Sequence, residues 1–295
     1  MAGDDDLRGG ADDDIVVGGA GQDWIMGGTD NGQASFSESI TVTFEGTNAS
    51  YSNSVGYYVM DEQGRPESGE IIWSNLHQTD EGATHEILLD GFSADDLGFF
   101  IIPDGADQNS GLTDGLSVTF DQNTDGDFVA VADGVTLSGT DAPAYFSGAA
   151  DLNPDGQVHI QINDDGSIGF EDLIDHKSDE DFDDAIIDMA DPLTTVDAFQ
   201  AGDQLWGGEQ GGTGDGEHDV FFYAKGDGVD TINDFEMGTD QLFISGYDSD
   251  DLSIVQDGDD TVIRLGESGD AIKLLGVDAE AFGASSNMAT YDADK

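Results

Sequence analysis

Apolar and polar residues alternate along the middle of the chain, and a period of two is typical of β-strands that are buried on one face. Turn signals such as Asp104-Gly105 and Asn153-Pro154-Asp155-Gly156 separate these segments, and only residues 93–97 hint at a helical turn. The predicted strands are 40–44, 55–60, 70–76, 85–89, 97–102, 116–120, 128–132, 158–162 and 185–189. Many short strands at this spacing predict an antiparallel β-sandwich.

The start of the chain has a different pattern, in which a glycine pair, an Asp and an apolar residue recur every nine residues. The residues that keep this register are Asp5, Asp14 and Asp23, followed two positions later by Leu7, Val16 and Ile25. Gly27-Gly28 begins a fourth turn. Tight glycine turns expose backbone carbonyls, and calcium prefers such hard oxygen ligands together with carboxylates. The pattern therefore predicts a parallel β-roll that binds calcium between its turns.

The same register resumes after residue 200, where Asp203 precedes Leu205 and Asp219 precedes Phe221 by two positions. Further aspartates punctuate short strands at Asp230, Asp234 and Asp240. Residues 250–277 alternate in the manner of hairpin strands, which we expect to cap the roll.

One β-roll is thus predicted to be split by an insertion, which is possible where a loop leaves and re-enters a domain at neighbouring points. Residues 1–32 would form its first part, and residues 199–295 its second part and cap. Residues 33–198 are enough for an independent sandwich domain. The predicted fold class is all-β: an antiparallel β-sandwich inserted into a split parallel β-roll.

The charge balance is extreme, with 65 Asp and Glu against 7 Lys and Arg, a net charge of −58. This excludes nucleic acid as a partner and argues against docking on an anionic membrane. Self-repulsion on this scale destabilises a compact state unless counter-ions are part of the fold. Cysteine is absent, so disulfides are excluded. No apolar run is long enough to span a membrane, and without a signal peptide we expect a fragment of a longer protein.

The nine-residue repeats resemble the RTX (repeats-in-toxin) family, which implies calcium binding and secretion. The inserted segments VGYYVMDEQGRPESGEIIW (55–73), DDLGFFIIPDGADQN (95–109), YFSGAADLNPDGQVH (145–159) and residues 168–187 resemble the DUF4114 family. That resemblance implies a calcium-associated ligand-binding domain, in some cases peptide-binding, of large RTX adhesins on the surface of Gram-negative bacteria.

Carboxylates are densest between residues 171 and 184, and so many charges in one pocket require a cation. The resemblance also places metal ligands in this segment. The candidate metal ligands of the whole chain are Asp5, Asp14, Asp23, Asp203, Asp219, Glu171, Asp172, Asp179, Asp181, Asp183 and Asp184. We expect Phe182 to point inward as an anchor. The alternative is a solvated acidic loop.

A second oxygen-rich loop follows the apolar run 98–103 and contains Asp104, Asp107, Asn109 and Asp114. Together with Asp181 and Asp184, its residues Asp104, Asp107 and Asn109 are the candidate ligand-binding residues. The alternative is that they only form turns. Where the DUF4114 family commonly has Asn, this chain has Asp104 and Asp183.

Aromatic residues concentrate in the insertion, where Tyr and Trp could stack on a sugar or hold a peptide side chain. They are Tyr51, Tyr57, Tyr58, Trp73, Phe99, Phe100, Tyr145 and Phe146. Adjacent residues of a strand point to opposite faces, so only one of each pair is expected in a core unless both faces are covered. Most of the set is expected to be sandwich core.

Enzyme motifs are incomplete. His85-Glu86 lacks the second His of a zinc-protease helix, and a Gly-x-Ser-x-Gly elbow, a phosphate-binding loop and a cysteine nucleophile are absent from the sequence. We therefore expect a non-enzymatic, monomeric, calcium-dependent adhesin module. Its expected partner is an extracellular peptide whose carboxylate completes the shell of a surface calcium ion. The alternatives are a glycan ligand and a purely structural, calcium-rigidified spacer.

Overall fold

The computed structural model describes residues 3–30, 32–174, 177–178, 181–200 and 202–291, and it is almost entirely β. Within those residues, no helix is both long enough and apolar enough to cross a membrane. The first strands are β1 (Asp6–Ala11), β2 (Ile15–Val17), β3 (Trp24–Thr29) and β4 (Gln33–Gly46). The next are β5 (Ser54–Met60), β6 (Pro66–Trp73), β7 (Thr84–Leu88), β8 (Leu97–Ile102), β9 (Leu116–Gln122), β10 (Phe128–Ala132), β11 (Val135–Thr136), β12 (Tyr145–Phe146), β13 (Ile160–Ile162), β14 (Ile168–Phe170) and β15 (Ala185–Met189).

The C-terminal part continues with β16 (Leu193–Gln200), β17 (Asp203–Trp206), β18 (Val220–Ala224), β19 (Val229–Ile232), β20 (Gln241–Ser245), β21 (Leu252–Asp257), β22 (Asp260–Leu265), β23 (Asp270–Leu274) and β24 (Met288–Tyr291). The described helices are short: α1 (Gly105–Gln108), α2 (Ala279–Gly283) and 3-10 turns at Leu76–Gln78, Ala94–Asp96, Ala150–Leu152 and Ser249–Asp251.

The chain forms two compact units, Met1–Ser37 with Thr194–Lys295, and Glu38–Leu193. We call the first the roll unit and the second the sandwich unit. The boundaries predicted from the sequence, 32/33 and 198/199, lie at the start of β4 and within β16. The first observed boundary lies within β4, and the second lies after the first residue of β16.

The roll unit contains two sheets, which the strands β1 to β3 and β17 to β20 enter alternately. One has the parallel order β1-β3-β18-β20-β24, and the other runs β2-β17-β19-β23 in parallel and ends with antiparallel β22 and β21. The apolar repeat positions stay in register, with Leu7 beside Ile25 and Val16 beside Leu205. Ile25 and Leu205 are buried in the core between the sheets, so the nine-residue period is a structural repeat.

The sandwich unit pairs a seven-stranded antiparallel sheet, β11-β10-β9-β6-β5-β8-β12, with a second sheet in which β13, β14, β15, β4 and β7 take part. Phe44, Trp73 and Phe99 belong to the core that forms on one face of the larger sheet. Phe100 and Phe146 belong to a second core on its other face. Both faces are therefore covered, and Phe99 and Phe100 are both buried, whereas Tyr57 beside buried Tyr58 is half-buried.

Strand ends differ from the predictions where side chains cap turns. The strand predicted at 70–76 ends at Trp73, because the Asn75 side chain accepts a hydrogen bond from the His77 amide at 3.0 Å and begins a 3-10 turn. The helical hint at 93–97 corresponds to the 3-10 turn Ala94–Asp96, in which Asp96 accepts from the Ser93 amide and hydroxyl. Neither α1 nor α2 was predicted.

Candidate metal centres

The aspartates at the strand entries of one roll sheet form a continuous ladder. The Asp5 amide donates to Asp23 Oδ1 at 2.8 Å, and the Asp23 amide donates to Asp219 Oδ1 at 2.8 Å. The Asp219 amide in turn donates to Asp240 Oδ1 at 3.0 Å. The ladder crosses the insertion, and at its end Asp240 Oδ2 accepts from the Glu236 amide at 2.8 Å.

The other roll sheet carries a shorter ladder that also crosses the insertion. The Asp14 amide donates to Asp203 Oδ1 at 2.7 Å, and Asp203 lies beside Asp230 in the parallel pair of β17 and β19. Asp30, just after β3, approaches the same place, so that oxygens of Asp30, Asp203 and Asp230 lie within 4.8 Å of one another. We call these three residues the seam cluster.

Several of these carboxylate oxygens are buried without a hydrogen-bond partner among the described residues. They are Asp5 Oδ2, Asp23 Oδ2, Asp203 Oδ2 and Asp230 Oδ1. Asp23, Asp203 and Asp230 are at most 1% exposed. A buried, unpaired carboxylate oxygen is costly, and a divalent cation with a preference for oxygen ligands removes that cost. The donor set therefore fits calcium.

Burial also changes the acidity of the roll aspartates. It raises the pKa of Asp219 to about 7, with repulsion from Asp240 and Asp215 adding to the effect. Burial likewise raises the pKa of Asp240 to about 6 and that of Asp230 well above its ordinary value. A bound cation reverses this local electrostatic penalty because it favours the ionised form.

The sandwich unit holds a second carboxylate cluster, in which oxygens of Glu171, Asp172 and Asp184 lie within 4.8 Å of one another. Antiparallel β14 and β15 bring the two chain segments together, since Glu171 follows one strand and Asp184 precedes the other. The Asp172 amide donates to Asp184 Oδ2 at 2.8 Å. Glu171 and Asp172 are each 2% exposed, whereas Asp184 is half-buried. We call this set the sandwich cluster.

The oxygen-rich loop after β8 is connected to the sandwich cluster through buried Asn53. The Asn53 side chain donates to Asp172 Oδ2 at 2.6 Å and accepts from the Asp104 amide at 2.9 Å. Asp107 is exposed, with Oδ2 3.4 Å from the Ser52 hydroxyl. Asp104 therefore lies in the immediate surroundings of the cluster.

Other predicted site residues are not members of the two clusters. Asp181 and Asp183 line an open depression of about 560 Å³ together with Phe182. Phe182, which was expected to point inward, is half-buried and has a left-handed φ of 55°. Asn109 exchanges hydrogen bonds with the Ser138 main chain at 2.7 and 2.8 Å, which fixes the loop. Asp179 lies outside the described residues.

Sequence reasoning missed Asp30 and Asp230 as ligand candidates. A signal for Asp230 existed, because it precedes buried Ile232 by two positions as the repeat aspartates precede their apolar residues. Asp30 had none, because the nine-residue register places the next aspartate at position 32, which is Gly32.

Residues 1–34 match the RTX calcium-binding nonapeptide repeat in four copies. RTX repeats bind Ca²⁺ and are typical of secreted proteins, so calcium is the ion that the matched repeats bind. Four copies agree with the three turns that are in phase in the sequence and the fourth turn that begins at Gly27-Gly28. No curated protein and no solved structure is similar enough to this chain to count as a match.

Proposed function

We propose that this chain is a calcium-dependent ligand-binding module of a secreted bacterial adhesin, with a DUF4114-like sandwich as its recognition domain. The roll would be the calcium-stabilised support, and the sandwich cluster would carry recognition. The partner would be an extracellular peptide or protein on another cell or surface. The proposal assigns binding without catalysis, by a monomer.

The uneven burial of the sandwich cluster carries this proposal. Glu171 and Asp172 are buried, and Asp184 is half-buried at the end of the acidic segment. An ion held by these carboxylates has protein ligands on its inner side and solvent on its outer side. Calcium takes six to eight oxygen ligands, more than three monodentate carboxylates supply, so an outer position is available to a ligand oxygen.

Charge explains why that oxygen would belong to a carboxylate. A surface with a net charge of −58 repels an acidic group, but a bound divalent cation reverses the sign locally. Asp181 and Asp183, which precede Asp184 in the sequence, would repel an acidic group and so leave the ion as its point of attachment.

The aromatic residues favour a peptide over a glycan. Tyr58, Trp73 and Tyr145 are buried in the sandwich cores, and Tyr57 is half-buried. Rings committed to packing leave little flat aromatic surface for a sugar to stack on. A glycan ligand and a ligand-free spacer stay as the alternatives that the experiment must separate.

The test is a screen of peptides with free or amidated carboxyl termini, and of a glycan array, against the full chain. Each screen is run with calcium and with a chelator. We expect binding of free-carboxylate peptides in calcium alone, and loss on amidation. Glycan binding without peptide binding would support a lectin, and no saturable binding would support a spacer; either contradicts the proposal.

A matched pair of variants places the site. Asp184→Ala removes a carboxylate of the sandwich cluster, whereas Asp188→Ala removes an exposed carboxylate of β15 close by in sequence. We expect the first to abolish peptide binding and the second to retain it, with both folded by circular dichroism. Equal binding by the two variants would place recognition elsewhere.

A further inference from the structure

The interruption of the roll is joined by side chains from both of its flanks. β3 precedes the insertion and pairs with β18, which follows it, and β2 pairs in the same way with β17. Asp30 is the last described residue before Asn31, and its Oδ2 accepts a hydrogen bond from the Val229 amide at 3.0 Å, 199 positions away. The seam cluster therefore combines one residue from before the insertion with two from after it.

The oxygens of the seam cluster converge on one point. Asp203 Oδ2 and Asp230 Oδ1, both buried and without a hydrogen-bond partner in the described part of the chain, face the same side of Gly27. A Cβ at Gly27 would collide with both oxygens. Space for Asp30 is created similarly, because a Cβ at Gly202 or Gly228 would collide with its carboxylate.

The seam cluster is therefore more than a dense acidic patch. Three backbone positions without side chains leave room for three carboxylates, and the two fully buried residues present oxygens that no donor of the described residues satisfies. Three negative charges at this spacing repel one another strongly in a buried place. A divalent cation with oxygen preference neutralises them and supplies the missing partner.

We propose that a calcium ion bound by Asp30, Asp203 and Asp230 closes the interrupted roll, with Asp30 as a ligand dedicated to the seam. Asp30 stands two positions before the expected repeat aspartate, so it is not supplied by the repeat itself. Its position is set by where the chain leaves the roll.

The consequence is that the first turns of the roll dock in a calcium-dependent way. Along the chain, residues 3–30 are connected to the later part of the roll through the long insertion. Their docking therefore carries the entropy cost of closing a long loop. An ion that bridges the two flanks binds only the docked state and stabilises it by mass action.

The experiment follows docking of the first turns in the full chain as calcium is added. Hydrogen exchange is measured on peptides that contain β2 and β3, and calcium stoichiometry is measured by equilibrium dialysis. The variant is Asp30→Asn, which removes the charge and keeps one side-chain oxygen for the Val229 amide, with loss of the acceptor that Oδ1 offers to the Gly32 amide. The control is Asp6→Asn, which removes an exposed carboxylate of β1 in the same part of the roll.

For Asp30→Asn we expect the calcium midpoint of β2 and β3 protection to rise by about tenfold, because calcium affinity follows the number of charged ligands. We also expect one fewer ion per chain near the wild-type midpoint, and wild-type behaviour for Asp6→Asn. An unchanged midpoint and stoichiometry would overturn the proposal. Reduced protection at every calcium concentration with unchanged calcium binding would also overturn it, since Asp30 would then act only as a hydrogen-bond acceptor.

Discussion

The backbone amide of Asp23 donates to the carboxylate of Asp219 at 2.8 Å, although the residues are 196 positions apart. Both residues are buried, and Asp23 Oδ2 has no partner among the residues that the structure describes. The contact joins the two parts of the split roll at a point where negative charge accumulates. One mutation at this contact should therefore change the stability of the roll in opposite directions with calcium and without it.

Asp219→Asn is expected to stabilise the calcium-free roll and to destabilise the calcium-loaded one. The amide oxygen can still accept from Asp23, but the charge that repels Asp240 and Asp215 is gone. In calcium the variant loses a charged ligand. We expect shifts of about 1 kcal/mol in each direction, or roughly 2–4 °C in melting temperature for a chain of this size. Circular dichroism melts at pH 7.5, with calcium and in metal-free buffer, measure both.

Glu217→Gln is the control for this prediction, because Glu217 is exposed and two positions away from Asp219. It removes the same charge from the same segment and should change neither melting temperature appreciably. A shift of the same sign for Asp219→Asn in both buffers would contradict a role in calcium binding.

Gly27→Ala is expected to destabilise the roll, because its Cβ would overlap the buried oxygens of Asp203 and Asp230. Overpacking of this kind costs about 1–3 kcal/mol. Gly283→Ala is the control: its Cβ would be 3.6 Å from Ile254 Cδ1, an ordinary contact. Urea unfolding in saturating calcium compares the two free energies of unfolding, and equal values would contradict the close packing around Gly27.

The all-β fold could be predicted because its signals are local. The repeat places an aspartate two residues before each inward apolar residue. Asp23 and Ile25 are an example, since Asp23 belongs to the hydrogen-bonded ladder and Ile25 is buried in the core. The strand at 97–102 was predicted with its observed bounds because Phe99, Phe100 and Ile101 are an apolar run between turn signals.

The composition of the metal clusters could not be predicted fully because it depends on strand pairing. Charge density pointed equally to Asp181, Asp183 and Asp184, and the pairing of β14 with β15 selects Asp184. Asp30 joins its cluster through contact with a segment that follows the insertion, a relationship that no local pattern encodes.

Metal-free protein is expected to become less stable as pH rises from about 4 to about 7. Burial raises the pKa of Asp219 from its ordinary 3.8 to about 7, so in this interval the folded state keeps a proton that the unfolded state loses. The free energy of unfolding therefore falls with pH over that window. Calcium should remove this decline because it binds the ionised carboxylate.

Urea unfolding at pH 5, 6, 7 and 8 in metal-free buffer tests this prediction, and acidification should restore structure to roll that is unfolded at pH 8. Asp219→Asn serves as the control, since without the titrating group the slope should become shallower. Stability that rises with pH in the absence of metal would show that the pKa of Asp219 is not raised.

Asn53→Ala is expected to weaken the sandwich cluster while leaving the roll sites intact. Asn53 is fully buried, and its side chain connects the Asp104 amide to Asp172 Oδ2, so truncation leaves buried polar groups without their partner. Such a loss costs about 1–3 kcal/mol. Hydrogen exchange should increase in peptides containing β8 and β14, and calcium-dependent protection of β2 and β3 should be unchanged.

Asn48→Ala is the matched control, because Asn48 is exposed and its side chain donates to Asp183 at 3.2 Å at the surface. Similar exchange in the two variants would mean that Asn53 does not hold the cluster together.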